Sequence, residues 1–412
     1  MSWRELRTTV IAISCIIQNS RNGVCMRQLF PGLILLFILL LASHSVSIAQ
    51  SPKFVAGGAA SVSAVAIDDC PLLHSSQMWS TDTEQLWQRV QALLKKSRSD
   101  TSLIVKLNLY ATSSERLAVF EADILERFPD TRRPAVCAVV TPLPNRTEVA
   151  LDFVAAGKTT SSDVKRGVKV IRADKDVARI LPEGKRIYIS GQAARDENLR
   201  NATQKTLEGL LDTLKFLNRE AEDVVAIKVF LTKMHDGEYV QQAVTEIFGR
   251  GNEPPVVFVQ WQSSKSVPVE IELIGWGGAA DQQQEVVEYL TPPNLSASPV
   301  FSRVCRINHG KSIYLSGLSA FNADANQHVV DTFGLLENTL ALVESSSQYL
   351  VKATYYVTDG EISSSLGQYR PKVYNPKRPP AASKATVPII GSQRQRFLMD
   401  MIAVPARDTM MP

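Results

Sequence analysis

The chain is poor in the residues that build metal and redox sites. Its 412 residues include five cysteines and five histidines. Cys15 and Cys25 lie in an N-terminal leader, which leaves Cys70, Cys137 and Cys305. That odd number without a C-x-x-C spacing allows one disulfide at most, and none is expected. His74, His235, His309 and His328 are scattered with no ligand partner at an informative distance, so no metal is expected. There is no G-x-S-x-G, no P-loop and no G-x-G-x-x-G, which removes the common nucleophile and phosphate-cradling signatures. Charge is scarce as well. The formal net charge is +4, and residues 1–49 carry four Arg and one Glu, so most of the excess belongs to the leader. Trp79, Trp87, Trp261 and Trp276 are not interleaved with basic residues, so neither an electrostatic footprint nor a stacking surface for nucleic acid is expected.

Long apolar runs are missing but for one. Leu29–Ala42, following Met26-Arg-Gln, is about 14 residues, short of the roughly 20 that span a bilayer. Ser47 and Ala49 then stand at the −3 and −1 positions of a cleavage site near Ala49–Gln50. This reads as a signal peptide that sends the protein to the periplasm or outside, with an uncleaved N-terminal anchor as the alternative and Met26 as a candidate true start. Sequons at Asn145, Asn201 and Asn294 matter only in a eukaryotic host.

What is present is repetition. RIYISGQ at 186–192 and VVAIKVFLT at 224–232 recur as SIYLSGL at 312–318 and LVKATYYVT at 350–358, at a constant offset of 126. A weaker copy runs HSSQ at 74–77 and IVKLNLYAT at 104–112. Repeats of this kind decide fold before any local motif. In the middle copy, strands are expected at 168–173, 186–190, 224–232, 256–261 and 267–274. Helices are expected at 201–217, where Leu207, Leu210, Leu211, Leu214 and Leu217 form one face, and at 238–248. Gly209 inside the first helix points to close packing. The third copy predicts strands at 301–307, 312–318, 349–358, 385–391 and 396–404 and helices at 329–344 and 361–372. The first predicts helices at 82–97 and 114–128 and strands at 103–111, 135–141 and 147–155. The order is β-β-α-β-α-β-β. Small and polar stretches at 50–66 and 279–295 read as linkers. The expected domains are therefore a leader 1–49, repeat 1 at 67–158, repeat 2 at 166–278 and repeat 3 at 296–405. Strands apolar on both sides require each sheet's second face to be covered, which three units in one chain can do for one another.

ISGQ at 189–192, TLEGLLDTL at 206–214, DVVAIKVFLTKM at 223–234, EPP at 253–255 and VEIELIG at 269–275 together resemble the Rid (YjgF) family. PVFSRVCRI at 299–307 and KRPPAASKATV at 377–387 extend the resemblance to the third copy. DTRRPAVCAVV at 130–140 and EVALDFV at 148–154 extend it more weakly to the first. The resemblance implies an α+β, chorismate-mutase-like fold and a homotrimer with sites between subunits. In this chain it implies a pseudo-trimer closed within a monomer. It also implies hydrolysis of enamines and imines to keto acids and ammonia, without a cofactor.

The family's carboxylate-clamping arginine has no counterpart here. Val136 and Val256 take its place in two copies, and a two-residue insertion after the prolines puts Lys384 there in the third, a point charge in place of a bidentate fork. Lys384 also reads as an exposed loop lysine. Glu270 matches the family's glutamate, replaced by Ala150 and Leu398 in the other copies. Two residues on, Asp152, Glu272 and Asp400 are acidic in all three, on the face that Glu270 shares by alternation; an ion-paired carboxylate at a sheet edge is the plainer reading. Ser190, Gly191 and Gln192 match the family's ligand-lining turn, and Ser316 and Gly317 match it in the third copy. A bend at a strand end would use the same residues. Two functions follow: a protein with diverged sites that binds a small carboxylate ligand or a partner, or a hydrolytic deaminase of small 2-imino or enamino acids using Glu270 and Lys384.

Overall fold

The computed structural model describes residues 52–56, 62–157, 167–392 and 394–406, all within one compact unit, Ala49–Pro412. The expected leader lies outside the described residues. No helix among those described is long and apolar enough to cross a membrane.

The fold is α+β, built on three sheets. The first strands are β1 (Lys53–Ala56) and β2 (Val62–Ile67). Then come β3 (Leu72–Ser75), β4 (Met78–Ser80), α1 (Thr83–Lys96), β5 (Ile104–Ala111), α2 (Ser114–Leu125), β6 (Ala135–Val140), β7 (Val149–Ala156), β8 (Lys169–Ala173) and β9 (Asp176–Leu181). The middle of the chain forms β10 (Arg186–Gln192), α3 (Leu199–Phe216), β11 (Val224–Leu231), α4 (Gly237–Phe248), β12 (Val256–Gln260), β13 (Val269–Trp276), β14 (Val287–Leu290) and β15 (Val304–Ile307). The last part forms β16 (Ser312–Leu315), α5 (Ala325–Leu342), β17 (Leu350–Val357), α6 (Gly360–Val373), β18 (Ala381–Thr386) and β19 (Phe397–Ala403).

Local chemistry fixes the helix starts. Asp82, Ser113, Asn198, Asp324 and Asp359 each accept a backbone N–H of the first turn, the usual remedy for unsatisfied helical donors. Leu207, Leu210 and Leu214 of α3 are buried against β10, β11 and β13, so the periodic stripe faces its sheet. Gly209 has the packing reason that its place in the helix implied: a Cβ there would lie 3.0 Å from Gln192 Oε1.

Strand pairing revises the expected boundaries. The first sheet has the order β6-β5-β7-β3-β9-β8, the second β12-β11-β13-β10-β15-β14, and the third β18-β17-β19-β16-β2-β1. The hairpin β8–β9 precedes β10 in sequence yet pairs with β3. The hairpin β14–β15 likewise pairs with β10 and not with β16. The stretches at 50–66 and 279–295 are therefore not linkers: they contribute β1, most of β2, and β14. Their small and polar residues suit short strands at and near sheet edges, which periodicity alone does not distinguish from loops. A further strand forms at Asp176–Leu181, and the strand expected at 385–391 begins directly after the prolines, at Ala381.

Faces turned away from the helices pack on one another. One apolar cluster joins Val65, Val105, Tyr188, Val225, Tyr314 and Val351 from all three sheets, and a second joins Tyr110, Phe230 and Tyr356. Around the rim, Gln260 N donates to Thr141 Oγ1, Gln262 N to Thr386 O and Val140 N to Ile390 O, linking the sheets pairwise into a closed ring.

Candidate functional site

The three Ser-containing turns after β3, β10 and β16 each meet the edge strand of the next sheet around the ring. Gln77 N donates to Val256 O at 3.0 Å, Gly191 N to Ser383 Oγ at 3.0 Å and Gly317 N to Val136 O at 2.7 Å. Each cleft thus draws its turn from one sheet and its edge strand from another. A strand end leaves free backbone groups, and these contacts satisfy them.

The clefts differ in what fills them. Between the third and first sheets, a Cβ on Gly317 would lie 3.0 Å from Leu398 Cδ1 and 3.4 Å from Cys137 Cα, so that cleft is closed by apolar contact. Ser316 Oγ is occupied there, accepting from Val136 N. Between the first and second sheets, Gln77 donates through Nε2 to Phe258 O and accepts through Oε1 from Phe258 N, imitating a strand pair with one side chain. Between the second and third, Glu270 occupies the space. A Cβ on Gly191 would run into the Glu270 carboxylate and lie 2.7 Å from Ser383 Oγ, so any larger residue in the turn displaces those two side chains.

Burial pushes the Glu270 carboxyl up to about 7; Glu272 adds to the rise, while the Ser383 hydroxyl and the more distant Lys384 oppose it. Lys384 does not stand where the sequence reading put it. Lys228, Asn108 and Thr354 lie opposite the acids Glu272, Asp152 and Asp400, which fixes the equivalence of the three strands. One residue earlier, Ile227 pairs with Val256, Leu107 with Val136 and Ala353 with Ala382. The family's arginine position is thus Ala382, and no two-residue insertion precedes it. Both prolines are held in place instead, Pro379 O and Pro380 O accepting from Ser302 Oγ and N. Alternation turns Lys384 to the face opposite Ser383, where its ammonium donates to Ser363 Oγ of α6 at 2.7 Å. Burial and the Arg370 charge lower its pKa, with Glu270 opposing.

The remaining candidates separate. Gln192 turns to the helix and donates to Thr213 Oγ1. Ser190 is buried at the strand end, its N–H on Arg303 O. Glu272 shares a face with Glu270 but lies inside the ring with Asp400 and Asp152 of the other two sheets, lining a cavity of about 70 Å³ between the sheets, not a sheet edge. Lys106 Nζ lies 2.7 Å from Asp400, Lys352 Nζ 2.8 Å from Glu272 and Lys228 Nζ 3.8 Å from Asp400. Asp152 accepts from Asn108 and from the Tyr110 hydroxyl. Burial alone would raise Asp400, but the three lysines outweigh it and hold the carboxyl well below the usual range. Asp152 goes the other way, raised by burial against Lys228, Asn108 and Tyr110.

A larger space lies elsewhere between the sheets. A groove of about 930 Å³ opens between the first and second sheets, floored by Trp79, Leu143, Met234 and Phe258, with Gln241, Gln242 and Arg250 at its rim. Trp79 is fixed by its Nε1 donating to Gln77 Oε1. The groove adjoins a second of about 460 Å³ that shares Trp79, Asn145, Gln241 and Phe258. Residues so far apart in sequence give no local signal. Among the described residues, no group of His, Cys, Asp and Glu could hold a metal ion, and Cys70, Cys137 and Cys305 are free thiols.

Residues 176–276 match the family model described as Endoribonuclease L-PSP. No curated protein matches the chain. Solved structures similar to it include a YjgF-family member from Neisseria meningitidis, 20% identical over 29% of this chain and 96% of its own, TM-score 0.23. A YjgF-family protein from Mycobacterium tuberculosis is 17% identical over 26% and 83%, TM-score 0.22. RidA from an Antarctic Psychrobacter is 23% identical over 22% and 80%, TM-score 0.21. The segment 176–276 is thus similar to the family described as Endoribonuclease L-PSP, and the solved structures similar to the chain include YjgF-family proteins.

Proposed function

We propose that this is an exported protein with a Rid-like scaffold of three units, packed as a pseudo-trimer within one monomer, that binds a small carboxylate ligand bearing an apolar group without turning it over. The observation that carries this reading is the groove at Trp79 and Phe258. Its volume of about 930 Å³ falls in the range of small-molecule pockets, and its apolar floor lies under a rim that mixes Gln241, Gln242 and Arg250 with the carboxylates of Glu238 and Glu246. Arg250 at the rim supplies a fork for a carboxylate. Against turnover stands the neutral character of Val136, Val256 and Ala382, which leaves no guanidinium at the position where the resemblance puts the clamping arginine. Titration calorimetry with phenylpyruvate, and with pyruvate as the short control, tests the reading. Binding of the first that weakens at least about tenfold in Trp79→Ala and Arg250→Ala is expected; no heat with either acid overturns it.

One observation favours deamination as a second reading. A carboxyl held near 7 is poised to give and take protons at neutral pH, and Glu270 is such a group. Freshly generated 2-aminoacrylate separates the two. A rate above buffer that Glu270→Gln abolishes supports the enzyme, and a buffer rate removes it for that substrate class.

A further inference from the structure

Inside the ring, one of the three joints between sheets is built differently from the other two. Lys106, Ala226 and Lys352 hold the same place in the three sheets: they pair with Val154, Ile274 and Ile402, each two residues beyond its strand's acid. Lys106 of the first sheet reaches Asp400 of the third, and Lys352 of the third reaches Glu272 of the second. By the same rotation residue 226 of the second sheet faces Asp152 of the first, and there the lysine is replaced by alanine. We propose that the space left there, the cavity of about 70 Å³ lined by Ala226, is a hydration site whose water bridges Lys228 of the second sheet to Asp152 and Asn108 of the first.

Lys228 and Asp152 are the two charges left over. Lys228 Nζ has the Tyr356 hydroxyl at 3.4 Å and Asp400 at 3.8 Å, long contacts for a group with three donors, and Asp400 already holds Lys106 at 2.7 Å. Burial opposes its charge, but Tyr356 and the three acids outweigh burial and keep the side chain an ammonium. Among the described residues no ion pair involves Asp152. It accepts from two neutral donors, Asn108 Nδ2 at 2.7 Å and the Tyr110 hydroxyl at 2.8 Å. Two more atoms of the cavity wall are without a partner, Asn108 Oδ1 and His74 Nε2, both on side chains more than nine-tenths buried. Burial, helped by the Arg186 charge, pulls the His74 imidazole down to about 3 and so keeps it neutral. Buried polar atoms left in this way are costly, and a bound molecule that pairs with them removes the cost.

The wall selects water. Lys228 donates, Asn108 Oδ1 and the carboxylates accept, and His74 Nε2 does one or the other, so the occupant has to do both. An anion would meet three carboxylates, a metal cation would meet three ammoniums, and an apolar molecule would leave all of these groups unpaired. A water needs roughly 10–15 Å³ of such space, so there is room for more than one. Along β5, β11 and β17 the charged positions lie between an apolar cluster at Val105, Val225 and Val351 and another at Tyr110, Phe230 and Tyr356, which close the site on both sides. The first and second sheets are thus joined through water at the place where the other two joints use a lysine.

Oxygen-17 relaxation dispersion of the solvent, which counts waters held longer than the protein tumbles, tests the site on the full chain. Ala226→Lys puts back the side chain that the other two sheets carry, and it should hold at least one such water fewer than the wild type. A folded variant with an unchanged count overturns the inference. If the variant does not fold, a crystal structure of the wild-type chain decides. Water density within about 3.2 Å of both Lys228 Nζ and an oxygen of Asp152 or Asn108 is expected. A dry cavity overturns the inference, and so does an anomalous signal inside it after a bromide soak, which would make the occupant an anion.

Discussion

Lys106 Nζ lies 2.7 Å from Asp400 Oδ1, an ion pair that ties the first sheet to the third inside the ring. Lys352 repeats the contact from the third sheet to Glu272 of the second. The remaining position of the set, residue 226, is alanine. Lys228, two residues on and on the same face, carries the charge in its stead, near Asp400 and the Tyr356 hydroxyl. Each strand pair thus contributes one acid to the interior, and the cations are shared unevenly among them. A buried network of this kind adds little net stability but penalises wrong arrangements. It gives the three sheets distinct partners around the ring.

Breaking that network from one side should be costly. Lys106→Ala leaves Asp400 with Lys228 at 3.8 Å as its nearest cation, and a loss of about 3–5 kcal/mol is expected. Lys106→Met with Asp400→Leu should recover part of it, since that pair is removed together while Lys228 loses its Asp400 contact. Urea denaturation of the three proteins measures this, and a double variant no better than the single would show that the apolar pair does not pack.

Glu270 makes stability depend on pH. Its folded pKa of about 7 lies above the ordinary 4.5, so the folded state binds the proton more tightly than the unfolded one. The stabilisation is full below about 4.5 and is lost as pH rises through 7. The shift is worth at most ~3 kcal/mol. Glu270→Gln should therefore gain on the wild type between pH 5 and 8, as read by thermal melts across that range. A constant difference between the two proteins would contradict it.

Gly191 is fixed by its neighbours and not by backbone conformation. Gly191→Ala should cost about 1–3 kcal/mol, because its Cβ meets the Glu270 carboxylate and the Ser383 hydroxyl. Adding Glu270→Ala should return much of that loss. Gly317→Ala should cost less, since a terminal methyl of Leu398 at 3.0 Å can shift. A double-mutant cycle on chemical denaturation checks the coupling.

Gln77 pairs with the Phe258 backbone through both ends of its amide. Gln77→Ala leaves that N–H and C=O without partners, at about 1–3 kcal/mol. It also frees the Trp79 indole, so the tryptophan emission should shift to the red. An unchanged spectrum with unchanged stability would show that the pair is not held in solution.

Much of this fold was legible in the chain. The offset of 126 between two copies, the leucine stripe of α3 and the doubly apolar strands required repeated sheets with helices on one face and one another on the other. Identity at the cleft positions was legible too. A valine at 136 and 256 says that no guanidinium stands there, whatever the fold.

Other features depended on alignment in space. Counting back from the strand valine, with an insertion after the prolines, gives Lys384 the arginine position. The parallel register of β17 with β18 gives it to Ala382, and a shift of one or more residues is invisible to composition. Alternation puts Glu272 on the same face as Glu270. It could not say that this face changes along the strand from an inter-sheet cleft to a closed interior. The groove at Trp79 and Phe258, and the pairing of the 53–67 hairpin with β16, join residues more than 150 positions apart. Local sequence determines which segments become strands and helices, because dihedral preference and burial pattern are properties of neighbours along the chain. Which strand each edge pairs with, and therefore which side chains share a cleft, is decided by the packing of distant segments, and only the tertiary structure carries it.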